Sequence, residues 1–153
     1  MHRPSNVDNL QTLSGLISAL EQISTQTPLI IPAHPRTINS LKRFEMLDRL
    51  SNNEEIHIIP PQGYFDFINL VSNSKFVMTD SGGLQEESTI LGVPCLTLRE
   101  NTERPITVTQ GTNKVVGTET KDIIEEFQNL DFSKKPRRPE YWDGKTAHRI
   151  AEV

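Results

Sequence analysis

The sequence predicts an α/β fold in which a parallel sheet carries helices on both faces. Segments with the three-and-four apolar spacing of an amphipathic helix alternate with short apolar runs. Those runs are closed by prolines or glycines, as strands buried in a parallel sheet are. Neither an internal repeat nor a low-complexity tract interrupts the alternation.

Each element follows from its own pattern. Leu10, Leu13, Leu16, Ile17, Leu20 and Ile23 share one helical stripe, and Ser5 with Asp8 makes a capping-box pattern ahead of it. Leu29-Ile30-Ile31, closed by Pro32, reads as a buried strand. Residues 36–50 read as one helix with Leu41, Phe44 and Leu47 on one side, and 56–59 as a second strand ended by Pro60-Pro61. A short helix over 64–71 and a third strand at 76–78 follow. Residues 83–91 form a helix that Gly92 stops. Strands are expected at 93–98 and 114–116, and a helix at 122–130. Residues 131–145 read as a linker that carries Lys134, Lys135, Arg137 and Arg138, a solvated and Pro-broken basic run. A last helix spans 146–153.

Composition narrows the class. The 153 residues suit one domain of ordinary size. With 16 Lys+Arg against 20 Asp+Glu, the net charge is −4 and the pI about 5.6, which argues against broad binding to nucleic acid or an anionic membrane. One cysteine excludes an internal disulfide and a cysteine-rich zinc module. No apolar run approaches the roughly 18–20 residues of a membrane span, and no basic-then-apolar leader opens the chain. These features predict a reduced, cytosolic, single-domain globule.

In an open α/β sheet, ligands bind outside the carboxyl ends of the strands. Asp80-Ser81-Gly82-Gly83 follows the third strand and opens a helix. Two glycines admit close backbone approach, and the helix N-terminus adds partial positive charge. The turn is either a phosphate or diphosphate cradle, with Ser81 as a hydroxyl donor, or a tight turn only. It matches neither a Walker loop nor the dinucleotide fingerprint. Glu86 and Glu87 favour the helix dipole; lying about 100° apart, they cannot act as one acid/base pair. One of them can accept from ribose hydroxyls, and spacing does not choose which. Arg99, Glu100, Thr102, Glu103 and Arg104 cluster after the fourth strand, as a phosphate clamp or as surface ion pairs. Gln62 suits the edge of a pyrimidine, while Phe67 reads as core or as a side contact to a base. His57 and His148 read as structural or exposed. No histidine pair has metal-ligand spacing, so no metal is expected. Ser81 lacks a nucleophile elbow, and Cys95 reads as a small core residue.

Taken in order, several segments become specific together: His2-Arg3-Pro4-Ser5-Asn6-Val7-Asp8, Pro32-Ala33-His34-Pro35-Arg36-Thr37, Asp80 to Glu87 as D-S-G-G-L-Q-E-E, Arg99 to Pro105 as R-E-N-T-E-R-P, Gly111-Thr112-Asn113, and Trp142-Asp143-Gly144-Lys145. This succession resembles the non-hydrolysing UDP-N-acetylglucosamine 2-epimerase family over nearly the whole chain. The resemblance implies one half of a glycosyltransferase-B-type fold, whose two Rossmann-like domains bind a UDP-sugar in the cleft between them. This chain is similar to the C-terminal half, with the N-terminal domain absent and the cut just ahead of His2.

By the same resemblance His2 is the catalytic histidine beside the diphosphate, and Gln62 and Phe67 flank the uridine. Ser81, Gly82 and Gly83 hold the diphosphate, Glu87 binds the ribose, and Arg104 contacts substrate. Arg3 and His34 match positions of a second, regulatory UDP-sugar site, although the stretch reads His-Pro-Arg-Thr where regulated members carry His-Leu-Asn-Pro. The family reaction inverts C2: a base removes the C2 proton, UDP is eliminated, and it adds back to the unsaturated sugar. Neither a cofactor nor a metal is implied.

The acidic proton-transfer residues belong to the absent domain, so this chain alone is expected to be inactive. It is also expected to be monomeric, since the family often forms homodimers largely through its first domain. The same motifs suit a hydrolysing relative or a UDP-diacetamido-glucuronate epimerase. A stand-alone nucleotide-binding or regulatory module is the reading outside this class.

Overall fold

The computed structural model describes residues 1–132 and 138–152. The chain runs α1 (Pro4–Val7), α2 (Leu10–Ser24), β1 (Leu29–Pro32), α3 (Pro35–Arg43), α4 (Leu47–Ser51), β2 (Ile56–Ile59) and α5 (Tyr64–Ser72). It continues through β3 (Val77–Thr79), α6 (Gly82–Leu91), β4 (Cys95–Thr97), α7 (Pro105–Thr109), β5 (Asn113–Val115), α8 (Thr120–Gln128) and α9 (Thr146–Ala151). The alternation of strand and helix is as the apolar pattern predicts. Of the basic run in the expected linker, Lys134, Lys135 and Arg137 lie outside the described residues, and Arg138 is exposed.

Two local expectations are corrected. The cap of α2 is Asn9, whose side chain accepts from the Thr12 N–H at 3.0 Å, whereas Ser5 lies inside α1. The expected helix over 36–50 is two helices. Glu45 takes a left-handed φ of 58°, and the chain closes α3 with paired bonds, Glu45 N–H to Lys42 O and Met46 N–H to Leu41 O. That is a Schellman ending with glutamate where glycine is usual. It drives Met46 into the core, where it is buried, and the apolar contact offsets the left-handed backbone. Without a glycine the sequence does not announce the break.

The α/β class with parallel strands is the one predicted. The strands are all parallel, but they form two sheets, β1-β2 and β3-β4-β5. Patterning identifies strands but not their neighbours. The two halves are joined at the carboxyl ends of β1 and β3 by the first residues of the chain. The Thr37 hydroxyl, after β1, donates to the Met1 carbonyl, and the His2 and Arg3 N–H groups donate to the Asp80 carboxylate after β3.

Helix α2 supplies Leu13, Leu16, Ile17 and Ile23 to the core, which they share with Leu96 and Ile123. Each such side chain contributes about 1.5–3 kcal/mol by leaving water. Helix α9 buries no residue, and Ile150 on it is 71 % exposed.

Candidate functional site

The loops at the carboxyl ends of β1, β3 and β4 converge around one residue, Asp80. It follows β3 directly and is fully buried. Its Oδ2 accepts from the His2 N–H at 2.9 Å, from the Arg3 N–H at 2.9 Å and from Asn6 Nδ2 at 3.3 Å. Its backbone carbonyl accepts from Arg3 Nε at 2.9 Å. Asn6, itself buried, also donates to the Leu98 carbonyl after β4, which ties the start of the chain to both loops. Burial opposes ionisation of Asp80, yet the amino terminus and the Arg3 and His2 N–H groups outweigh it and hold its pKa below the ordinary carboxylate range.

His2 lies in this cradle with its side chain 45 % exposed and Nδ1 3.1 Å from Asp80 Oδ1. Burial lowers its pKa; Asp80 pulls the other way without restoring it. The ring centroid lies 5.5 Å from that of His34. His34 caps α3, its Nδ1 accepting from the Arg36 N–H at 3.1 Å.

The Ser-Gly-Gly turn opens α6. Ser81 is its N-cap, with Oγ accepting weakly from the Leu84 N–H at 3.5 Å. The glycines leave room: a Cβ on Gly82 meets nothing within 4 Å, and one on Gly83 reaches only Ser81 Oγ at 4.0 Å. The open space lies where the first N–H groups and the positive end of the helix dipole face outward, an arrangement suited to an anion. Gly111 differs, because a Cβ there would sit 2.5 Å from the Thr107 carbonyl; that glycine serves packing.

On the far side of the turn, Arg104 Nε lies 3.0 Å from Glu86 Oε1, close enough for an ion pair though not aligned for a hydrogen bond. Glu87 is half-buried and has no partner among the described residues. Arg99 binds Glu103 bidentately, at 2.6 and 2.8 Å, and Arg3 reaches Glu103 at 3.5 Å. The Arg99 guanidinium holds the Glu103 carboxyl down at about 2. Of the readings open for the Arg99–Arg104 cluster, ion pairing accounts for Arg99, while Arg104 lies next to the turn.

The structure therefore brings His2, Arg3, His34, Ser81, Gly82, Gly83 and Arg104 together around one end of the sheets. Gln62 follows β2 and is exposed, its amide donating to the Pro60 carbonyl at 2.7 Å. Phe67 is half-buried in α5, which packs beside α6.

Two supporting residues escape a reading of motifs one at a time. Asp80 is one. Gln85 is the other: fully buried in α6, it donates from Nε2 to the Ser81 carbonyl at 3.1 Å and accepts at Oε1 from the Thr102 hydroxyl at 2.5 Å and Asn113 Nδ2 at 3.0 Å. Thr102 Oγ1 in turn accepts from the Arg104 N–H at 2.9 Å. Gln85 thus locks the loop of Arg104 to the Ser81 turn. A polar residue on the inner stripe of a helical segment is the signal that would have found it.

Among the described residues, no cluster of His, Cys, Asp and Glu could hold a metal, and no helix is long and apolar enough to cross a membrane.

Comparison with known proteins is consistent with this geometry. The family model for UDP-N-acetylglucosamine 2-epimerase matches residues 1–153. The UDP-N-acetylglucosamine 2-epimerase of Methanocaldococcus jannaschii is 39 % identical over 155 residues, covering 100 % of this chain and 42 % of that protein. The crystal structure of the M. jannaschii enzyme in complex with UDP-GlcNAc and UDP superposes with a TM-score of 0.89 at 41 % identity, covering 99 % of this chain and 42 % of that one. The UDP-2,3-diacetamido-2,3-dideoxy-D-glucuronate 2-epimerase of Pseudomonas aeruginosa is 36 % identical, covering 99 % of this chain and 42 % of its own length. The chain thus spans about two fifths of the length of these relatives. It belongs to the UDP-N-acetylglucosamine 2-epimerase family.

Proposed function

We propose that this chain is the UDP-holding, C-terminal half of a UDP-N-acetylglucosamine 2-epimerase, a single Rossmann-like domain that forms one wall of a two-domain cleft. The observation that carries the reading is the Ser81 turn. Its glycines leave the N-terminus of α6 uncovered, and His2 and Arg104 stand on the loops beside it. An open face of this kind is what one wall of a cleft presents.

In this reading the diphosphate of a UDP-sugar lies on the Ser81-Gly82-Gly83 backbone. There the aligned amides and the guanidinium of Arg104 stabilise the charge that grows as the C1–O bond of the sugar breaks. His2 lies beside the same oxygens. Glu87, with no partner among the described residues, accepts from the ribose hydroxyls, and Gln62 and Phe67 flank the uracil. A domain beyond this chain supplies the base that takes the C2 proton, and no cofactor takes part. UDP then adds back to C1 while a proton is delivered to the opposite face of C2, which inverts C2. Arg3 and His34 have engaged side chains here, with Asp80 and Glu103 on one and the Arg36 N–H on the other. A second, regulatory UDP-sugar would have to displace those contacts.

Calorimetry tests the reading. UDP binds the wild-type chain, and Gly83→Val abolishes the heat while leaving the circular dichroism spectrum unchanged. Absence of UDP binding by the wild type removes the proposal. Turnover of UDP-N-acetylglucosamine by this chain alone removes the assignment of proton transfer to another domain. Release of free N-acetylmannosamine by a two-domain protein carrying this half marks a hydrolysing enzyme instead.

A further inference from the structure

Asp80 is the one carboxylate of the site that is wholly removed from solvent, and the reading above gives it no task. Its Oδ2 is engaged by three N–H groups: those of the His2 and Arg3 backbone and of the Asn6 side chain. Its Oδ1 takes a longer contact from the His2 N–H at 3.2 Å and lies 3.1 Å from His2 Nδ1. The pair is within ion-pair distance though not aligned for a hydrogen bond, and that proximity favours a proton on Nδ1, since a bare nitrogen would set its lone pair close to an anionic oxygen.

We propose that Asp80 is a positioning residue that fixes His2 as the Nδ1-protonated imidazole and leaves Nε2 as its lone-pair atom. In water a histidine side chain favours the opposite tautomer, with the proton on Nε2, so the protein imposes the assignment. A buried carboxylate that orients an imidazole through one nitrogen defines the chemistry of the other. Nε2 then accepts a hydrogen bond or a proton, and the resulting imidazolium is stabilised by Asp80.

The other groups facing His2 do not compete for this role. His34 has its own Nδ1 occupied by the Arg36 N–H, and Arg3 binds the Asp80 carbonyl and Glu103. Among the described residues, only Asp80 brings an anionic acceptor to the ring. The same carboxylate holds the His2-Arg3 backbone against the Ser81 turn, so ring orientation and loop position depend on one residue. The task of His2 in the reaction rests on the proposed function; its tautomer does not.

Long-range ¹H–¹⁵N correlation spectra of the ¹⁵N-histidine-labelled chain at about pH 8 read the tautomer directly. In the wild type, His2 is expected to show a protonated Nδ1 and a bare Nε2, against the exposed His148 with the reverse pattern. Asp80→Asn is expected to move His2 toward the His148 pattern and to shift its titration midpoint downward, with the His57 and His148 signals unmoved. A wild-type His2 protonated on Nε2 overturns the proposal, as does a His2 pattern unchanged in a folded Asp80→Asn chain. The wild-type spectrum decides even if the variant does not fold. UDP calorimetry on the same samples keeps the questions apart, because loss of UDP binding by the wild type overturns the function and not the tautomer.

Discussion

Arg104 Nε stands 3.0 Å from Glu86 Oε1 beside the Ser81 turn, so among the described residues Glu86 is occupied while Glu87 is not. The two carboxylates sit about 100° apart on α6, as helical geometry requires, and the loop carrying Arg104 meets only the first. Both groups of the ion pair are partly exposed, so its worth is that of a surface pair. The relationship leaves Glu87 as the acidic acceptor available to a ligand.

Glu87→Ala is therefore expected to weaken UDP binding at least about tenfold, the effect of losing hydrogen bonds to a charged acceptor worth about 1.5–3 kcal/mol. Glu86→Ala is expected to change it by about threefold or less. Titration with UDP and with its 2′,3′-dideoxy analogue checks the assignment, because the Glu87 effect disappears when the ribose hydroxyls are absent. Equal losses from both substitutions place the ribose elsewhere.

The glycines divide into two kinds. Gly82→Ala is expected to leave the urea midpoint unchanged, because a Cβ there meets nothing within 4 Å. Gly111→Ala puts a Cβ 2.5 Å from the Thr107 carbonyl and 2.6 Å from Thr89 Cγ2, an overpacking that costs about 1–3 kcal/mol. UDP binding reverses the order of sensitivity once the Gly82 side chain is enlarged to valine. A marked loss of stability in Gly82→Ala would contradict the open space described above.

Gln85→Leu tests the polar lock between α6 and the Arg104 loop. It removes the acceptor of the Thr102 hydroxyl and one acceptor of Asn113 Nδ2, both at buried or part-buried positions. Leaving such groups without partners costs about 1–3 kcal/mol each, so a fall in stability of about 2 kcal/mol or more is expected in urea denaturation. Hydrogen exchange at Arg104, whose N–H bonds to Thr102 Oγ1, is expected to quicken more than exchange at Leu13 in the core.

Acid unfolding carries the signature of Asp80. Its pKa in the folded chain is depressed, so the stability it contributes is complete above the unfolded carboxylate value. That stability is lost as pH falls through the lowered folded one. Stability is thus expected to drop below about pH 4, and Asp80→Asn to flatten that limb of the profile. Equilibrium denaturation from about pH 3 to 7 measures it. An identical acid limb in the variant would mean that other carboxylates govern the transition.

Cys95 is expected to be inert in the native state. Burial raises its thiol to about 11, and the side chain has no access to solvent. A disulfide reagent at about pH 8 should label it only as fast as the chain opens, and at once in denaturant. Rapid native labelling would show that β4 is not closed in solution.

Much of this was legible in the order of residues. Leu29-Ile30-Ile31, Ile56 to Ile59 and the run through Cys95-Leu96 announce strands because apolar residues between proline or glycine stops have few other uses. The Asp80-Ser81-Gly82-Gly83 succession announces a strand-to-helix turn with an accessible backbone. What was not legible depended on partners distant in sequence. Glu45 ends α3 without a glycine because Met46 has a core to enter. Ser5 caps nothing because Asn9 is nearer the start of α2.

The sequence by itself determined the parallel α/β class, the placement of the Ser81 turn and the Arg104 loop after strands, and the family to which the chain belongs. Local pattern and motif order suffice for these, since each is written in contiguous residues. Only the tertiary structure decided that the strands form two sheets, that Arg104 takes Glu86 and leaves Glu87, and that Asp80 gathers His2, Arg3 and Asn6. Those outcomes turn on hydrogen bonds and ion pairs between groups far apart in the chain. A buried carboxylate takes whichever donors folding brings within about 3 Å, and that choice is made only when the loops meet.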